Sequence, residues 1–301
     1  MAVAGATTYA FLGWTFNPVG PSQEAAVCVA NAPPIPVPDL NGILFVPDQD
    51  QDQSQQILED VRPNVAIYCG AKVRPESYAL LAQQILLGMQ DSVSVQGDTL
   101  ASDDYDDGVE KRGGGGVLVL QSPFNVDAFK PATVQNVLKK FPSIRCIAGH
   151  SIGGVWAMAY CQDLFNAGSF PRNEEGDEFL DFVHLGVHSS VLSLAQFKEI
   201  PFRNVGFTYA TRDATLIKAA EKNDESVEDH IARMKLEELP ESAKMFQIEG
   251  GNHSQYGSYG MPSYAQGLAY QDLDATISNK EQRTIIAKAI VETMFVEKGK
   301  G

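Results

Sequence analysis

Cys146-Ile147-Ala148-Gly149-His150-Ser151-Ile152-Gly153-Gly154-Val155 joins a short apolar run to an amphipathic one through a serine flanked by glycines. The pattern is G-x-S-x-G, in which a strand turns into a helix so sharply that the serine stands strained and exposed at the bend. Glycines two residues to either side let the neighbouring backbones close in. Downstream, Gly154, Ala157, Met158, Cys161, Leu164 and Phe165 recur at helical spacing, so a helix is predicted after the turn. Ile144 to Ala148 supply the strand before it. Taken alone, the motif fits a nucleophilic serine or a buried serine in a tight turn; what separates the two is whether partners for Ser151 follow.

Outward from this turn, strands and helices alternate. Gly42 to Val46 reads as a strand ended by Pro47, and Asn64 to Cys69 as a strand covered on both faces. Gly70-Ala71-Lys72-Val73 then turns into a helix opened by Pro75, with Tyr78, Leu81, Ala82, Ile85, Leu86 and Met89 on one face. Val117 to Leu120, Phe182 to Val187, Val205 to Ala210 and Lys244 to Glu249 are further strands. Helices are predicted around Val134 to Phe141, over the charged stretch Ile217 to Leu239, and after a capping box of Ser278 and Glu281. Such alternation implies an α/β fold, a mostly parallel central sheet with helices on both faces. Residues 1–40, rich in small residues and closed by Pro33, Pro34, Pro36 and Pro38, are expected to be irregular. Segments 48–60 and 91–116, acidic or glycine-rich, are expected as surface insertions in a single domain spanning 1–301. The alternating carboxylates from Asp48 to Gln53 lack the central Gly and terminal Glu of a calcium loop, so no metal is expected there.

The formal net charge of -15 argues against nucleic acid and against an anionic membrane surface. No apolar run reaches the roughly 18 residues of a membrane span, so no stable membrane insertion is expected. Cys28, Cys69, Cys146 and Cys161 are read as reduced core residues, and Met1 to Phe16 lacks the basic start of a secretory signal. A soluble, intracellular protein is expected, in the cytoplasm or in an organelle after removal of a targeting segment.

A serine alcohol needs a base within hydrogen-bond reach and a carboxylate to orient that base. In sheets of this type the chain order is Ser, Asp or Glu, then His. Of five histidines, His253 alone follows a strand in a polar, glycine-containing loop, Glu249 to Gln255. Asp213, just past the strand ending at Ala210, is the carboxylate candidate, although an Asp there also suits a helix N-cap. Backbone donors for an oxyanion fall to Ile152, after the serine, and Ala71, in the turn after an earlier strand. His150 lies beside the nucleophile and is assigned to the wall of a substrate pocket. Lys72 and Tyr256 are assigned to it as well, the lysine either attracting an anionic group or merely solvated. The aromatic loop from Ser254 to Thr276 either lines that pocket or packs against the body.

These stretches together resemble the α/β-hydrolase superfamily, specifically the α/β-hydrolase fold-5 group related to dienelactone-hydrolase-like esterases. The likeness rests on Gly70 to Val73 with Pro75 to Tyr78, Pro123-Phe124-Asn125, Gly149 to Gly154, Arg212-Asp213 and Gly250 to Gly257. The resemblance implies a cofactor-free serine hydrolase acting on a small-molecule carboxylic ester, thioester or lactone through Ser151, Asp213 and His253. The stretch between the strands at Phe182 and Val205 is too short for the separate cap domain that many relatives carry. Segments 48–60 and 91–116 and the N-terminal stretch depart from the family and leave the substrate open. A binding protein on the same fold, holding a ligand without catalysis, is the competing expectation. The oligomeric state is not encoded in any of these features.

Overall fold

A computed structural model describes residues 19–47, 61–71, 73–99, 115–121, 132–173, 176–186, 194–259 and 272–295, with side chains left out at 93–99. An eight-stranded sheet runs in the order β1-β2-β4-β3-β5-β6-β7-β8. Its strands are β1 (Ile35–Val37), β2 (Gly42–Phe45), β3 (Pro63–Tyr68), β4 (Gly116–Leu120), β5 (Cys146–His150), β6 (Asp181–Leu185), β7 (Val205–Ala210) and β8 (Lys244–Ile248). β3 to β8 are parallel, and β1 and β2 pair antiparallel at one edge. The helices are α1 (Gln23–Asn31), α2 (Ala79–Thr99), α3 (Val134–Lys140), α4 (Ile152–Asn166), α5 (Ala214–Lys222), α6 (Val227–Glu237) and α7 (Asn279–Met294).

The continuous apolar strands are sorted by their period of two. Ala66 and Tyr68 of β3, Leu118 and Leu120 of β4 and Ile147 of β5 face a core shared with α3, α4 and α6. Val65, Ile67, Val117, Val119 and Ala148 face the opposite core, built with α1, α2 and α7. Both faces are therefore dry, which is why the strands lack polar alternation. Between β6 and β7 the described residues hold only the 3₁₀ turn Leu194–Glu199, and no helical cap. Among the described residues no helix is long and apolar enough to cross a membrane.

Three expectations need correction. The stretch before residue 40 is not irregular over its described part. Ser22 accepts from Ala25 N and caps α1 before the prolines begin. β1 tolerates Pro36 because it is an edge strand, where a missing N–H breaks no ladder bond on its open side. Segment 91–116 is not wholly an insertion either: α2 continues through Thr99 and β4 begins at Gly116, while 100–114 and 48–60 lie outside the described residues. Finally, the charged stretch from Ile217 to Leu239 is two helices, because Asp224 takes a φ of 56° and Ser226 caps a fresh start at Asp229 N. The Ser278–Glu281 capping box is present as expected.

Candidate active site

The carboxyl ends of β3, β5, β7 and β8 collect the residues singled out by sequence. Because β3 and β5 are neighbours, Gly70 and Ala71 follow a strand paired directly with the one ending at His150. Because β7 and β8 are neighbours, Asp213 and His253 emerge side by side.

Ser151 has φ 53° and ψ -129°, a conformation that only glycine adopts without strain. Its N–H donates to Leu185 O at 3.0 Å, and its carbonyl accepts from Gly154 N and Val155 N, so the turn is fixed on both sides. Although Ser151 occupies the N-cap of α4, its hydroxyl makes no capping bond. The flanking glycines are there for space: a Cβ on Gly149 would lie 2.3 Å from Gly154 Cα, and one on Gly153 would lie 2.0 Å from Cys69 O. The second contact is backbone against backbone, and it presses the serine turn onto the end of β3. Gly153→Ala is accordingly expected to cost about 2–4 kcal/mol of unfolding free energy. The check is a lowered urea midpoint at unchanged slope.

Asp213 is fully buried and uses its two oxygens differently. Oδ1 accepts from Thr215 N at 2.7 Å, Thr215 Oγ1 at 2.6 Å and Leu216 N at 3.3 Å, capping α5. Oδ2 lies 2.8 Å from His253 Nδ1. One oxygen thus makes the helix cap and the other the contact with His253. Gln282, buried on α7, clamps the His253 loop by accepting from Asn252 N at 3.0 Å and donating to Asn252 O at 2.8 Å.

Asp272 is a second carboxylate at this site that sequence reasoning did not reach. It accepts from Ala214 N at 3.1 Å and from Ser254 N and Oγ, both at 2.6 Å, tying the start of α5 to the His253 loop. Burial alone would lower the pKa of His253. The charge and hydrogen bond of Asp213, with the charge of Asp272, outweigh it and raise the group above the ordinary histidine value.

His253 reaches back over the sheet, its ring centroid 4.8 Å from that of His150. Among the described residues no hydrogen bond joins Ser151 Oγ to His253. His150 is buried, with Nδ1 at 2.7 Å from Tyr78 Oη and its ring stacked on Tyr256 at 5.1 Å and 19°. Burial, then the neighbouring His253, hold its pKa well below the ordinary value. Tyr256 is fully buried, bonded through its hydroxyl to Thr208 Oγ1 at 3.2 Å, and its ring covers Gly186. His150, Tyr256 and His253 thus pack together, the first two buried. Lys72 lies outside the described residues, as do residues 260–271 of the aromatic loop. Among the described residues no group of three His, Cys, Asp or Glu is placed to hold a metal ion.

Against known families, the region holding Asp213 and His253 gives a match. Residues 207–284 match the model of the alpha/beta hydrolase family. The matched stretch of that hydrolase family runs from β7 into α7 and includes Asp213, His253 and Asp272. No curated protein matches the chain. Among solved structures, an esterase of Pyrobaculum calidifontis is similar at 12% identity, over 91% of this chain and 92% of that one, with a TM-score of 0.46. A hormone-sensitive lipase from a metagenome library is similar at 11% identity, over 90% and 92%, with a TM-score of 0.44. Carboxyl esterase 2 of the fungus Tuber melanosporum follows at 13% identity, over 83% and 82%, with a TM-score of 0.43.

Proposed function

We propose that the chain is a single-domain serine hydrolase that cleaves a carboxylic ester, thioester or lactone through an acyl-enzyme on Ser151. The observation that carries this reading is the 2.8 Å contact of Asp213 Oδ2 with His253 Nδ1, together with a serine held at positive φ at the end of β5. Held this way, Nδ1 keeps its proton and Nε2 is the nitrogen free to accept one. Ser151 Oγ attacks the carbonyl carbon as its proton passes to His253 Nε2. The C=O electron pair moves onto oxygen, where the N–H groups of Ile152 and Ala71 receive the charge. Ile152 N is suited to this because the first N–H of a helix has no acceptor within the helix. The imidazolium then protonates the departing alkoxide or thiolate as the tetrahedral carbon collapses to the acyl-enzyme. Water repeats both steps and frees Ser151.

The test is hydrolysis of p-nitrophenyl esters of graded chain length, followed from the first turnover. A burst of p-nitrophenol equal to the enzyme concentration supports an acyl-enzyme. Neither burst nor turnover with any ester would remove the reading.

The site also carries a pH expectation. The base must be neutral to work, and its pKa is raised by Asp213 and Asp272, so activity is full above that raised pKa and is lost as pH falls through it. Asp272→Asn removes one of the two raising charges while keeping an acceptor for Ser254. Its acid limb of kcat/KM is expected at lower pH than wild type, with plateau activity within about tenfold. A limb that stays in place, or moves up, would contradict the assignment of His253 as base.

A further inference from the structure

The turn after β3 is pinned by a chain of buried hydrogen bonds that begins beside the serine. Gly70 N–H donates to Tyr78 Oη at 2.9 Å, and Tyr78 Oη lies 2.7 Å from His150 Nδ1. Tyr78 and His150 are both buried. A phenol has a single proton, and with Gly70 N–H donating to its oxygen, the arrangement that pairs that proton sends it to Nδ1. In that arrangement His150 is neutral, with its own proton on Nε2. The low pKa that burial gives His150 agrees.

The ring has no room to swing away. Tyr256 stacks on it at 5.1 Å, His253 lies at 4.8 Å, and a Cβ on Gly70 would come within 2.8 Å of Nδ1. On the other side of the turn, Gly70 O accepts from Val73 N at 3.3 Å. A trans peptide sets N–H opposite to C=O, so a fixed Gly70 carbonyl also fixes the direction of Ala71 N–H.

We propose that Tyr78, locked by His150, is a positioning residue that holds the Cys69–Gly70 peptide, so that the Gly70–Ala71 peptide, held from its other side by Val73 N, keeps Ala71 N–H aimed at the oxyanion. The inference rests on the hydrolase reading above. It gives the histidine of Gly149-His150-Ser151 a role that a pocket wall does not describe. The histidine presets a donor in the turn after the neighbouring strand before substrate arrives, which removes reorganisation from the reacting step.

Tyr78→Phe, His150→Leu, His150→Gln and the double variant Tyr78→Phe/His150→Leu test it with p-nitrophenyl acetate and a trifluoromethyl ketone that mimics the tetrahedral adduct. Tyr78→Phe and His150→Leu are each expected to lower kcat about 10- to 100-fold with KM within about twofold. Affinity for the ketone should fall by the same factor as kcat, because the loss is confined to the transition state. The double variant should lose no more than either single one, since both break one chain. His150→Gln, whose amide oxygen can accept from Tyr78, should recover most of the rate. A loss carried by KM, additive losses, or ketone affinity unmoved while kcat falls would overturn the proposal. If Tyr78→Phe does not fold, the comparison of His150→Leu with His150→Gln decides: equal rates overturn it. Wild type that forms no fluorophosphonate adduct overturns the hydrolase reading and this one with it. Wild type that reacts, beside Tyr78→Phe at full kcat, overturns the positioning role alone.

Discussion

Ser151→Ala is expected to lower kcat about 10⁴- to 10⁶-fold while leaving the fold as stable as before. The second half of that expectation is specific to this turn. A serine at an N-cap ordinarily contributes about 1 kcal/mol through its side chain, and alanine loses it. Here the hydroxyl makes no bond to the helix it precedes, so there is no cap to lose. The φ of 53° strains alanine as it strains serine. Ser151→Gly should go further, gaining about 1 kcal/mol by relieving that strain while remaining inactive. Thermal or urea unfolding of the three proteins checks this. A clear destabilisation of the alanine variant would mean that Ser151 is a structural cap after all.

Asp213→Asn carries the other large effect, and the hydrogen bonds at Asp213 say why. Oδ1 accepts three donors, from Thr215 N, Thr215 Oγ1 and Leu216 N, so an asparagine must keep its carbonyl oxygen there. Its NH₂ group is then forced toward His253 Nδ1, 2.8 Å from the position of Oδ2. Two donors cannot face each other, so the imidazole must move its proton to Nε2, where it can no longer accept one from Ser151. A fall in kcat of about 10⁴-fold is expected, with unfolding free energy within about 1 kcal/mol because the helix cap survives. Asp213→Ala should lose both activity and the cap. An Asp213→Asn variant that keeps near wild-type kcat would show that His253 does not depend on this carboxylate.

What could be read from the chain divides by the range of the interactions involved. β3, β4 and β5 were legible because burial on both faces leaves continuous apolar runs, and α7 because Ser278 and Glu281 form a local box. The places of Ser151, Asp213 and His253, after β5, β7 and β8, were legible from the apolar run that precedes each. Asp272, Gln282 and Tyr78 were not. Asp272 meets partners 58 and 18 residues away, Gln282 one 30 residues away, and Tyr78 a histidine 72 residues away. Nothing local marks such residues; their partners are chosen by strand order. α1 was hidden for another reason: the prolines that follow it dominate the composition, although Ser22 at its start is an ordinary cap signal.

The central claim is that Ser151 is an activated nucleophile. Incubating the folded protein with a fluorophosphonate and measuring intact mass, then mapping the adduct by peptide sequencing, tests it most directly. One adduct per chain on Ser151 is the expected result, lost in Ser151→Ala and strongly slowed in His253→Ala. An unmodified folded protein, or an adduct at Ser151 that forms as fast without His253, would contradict it.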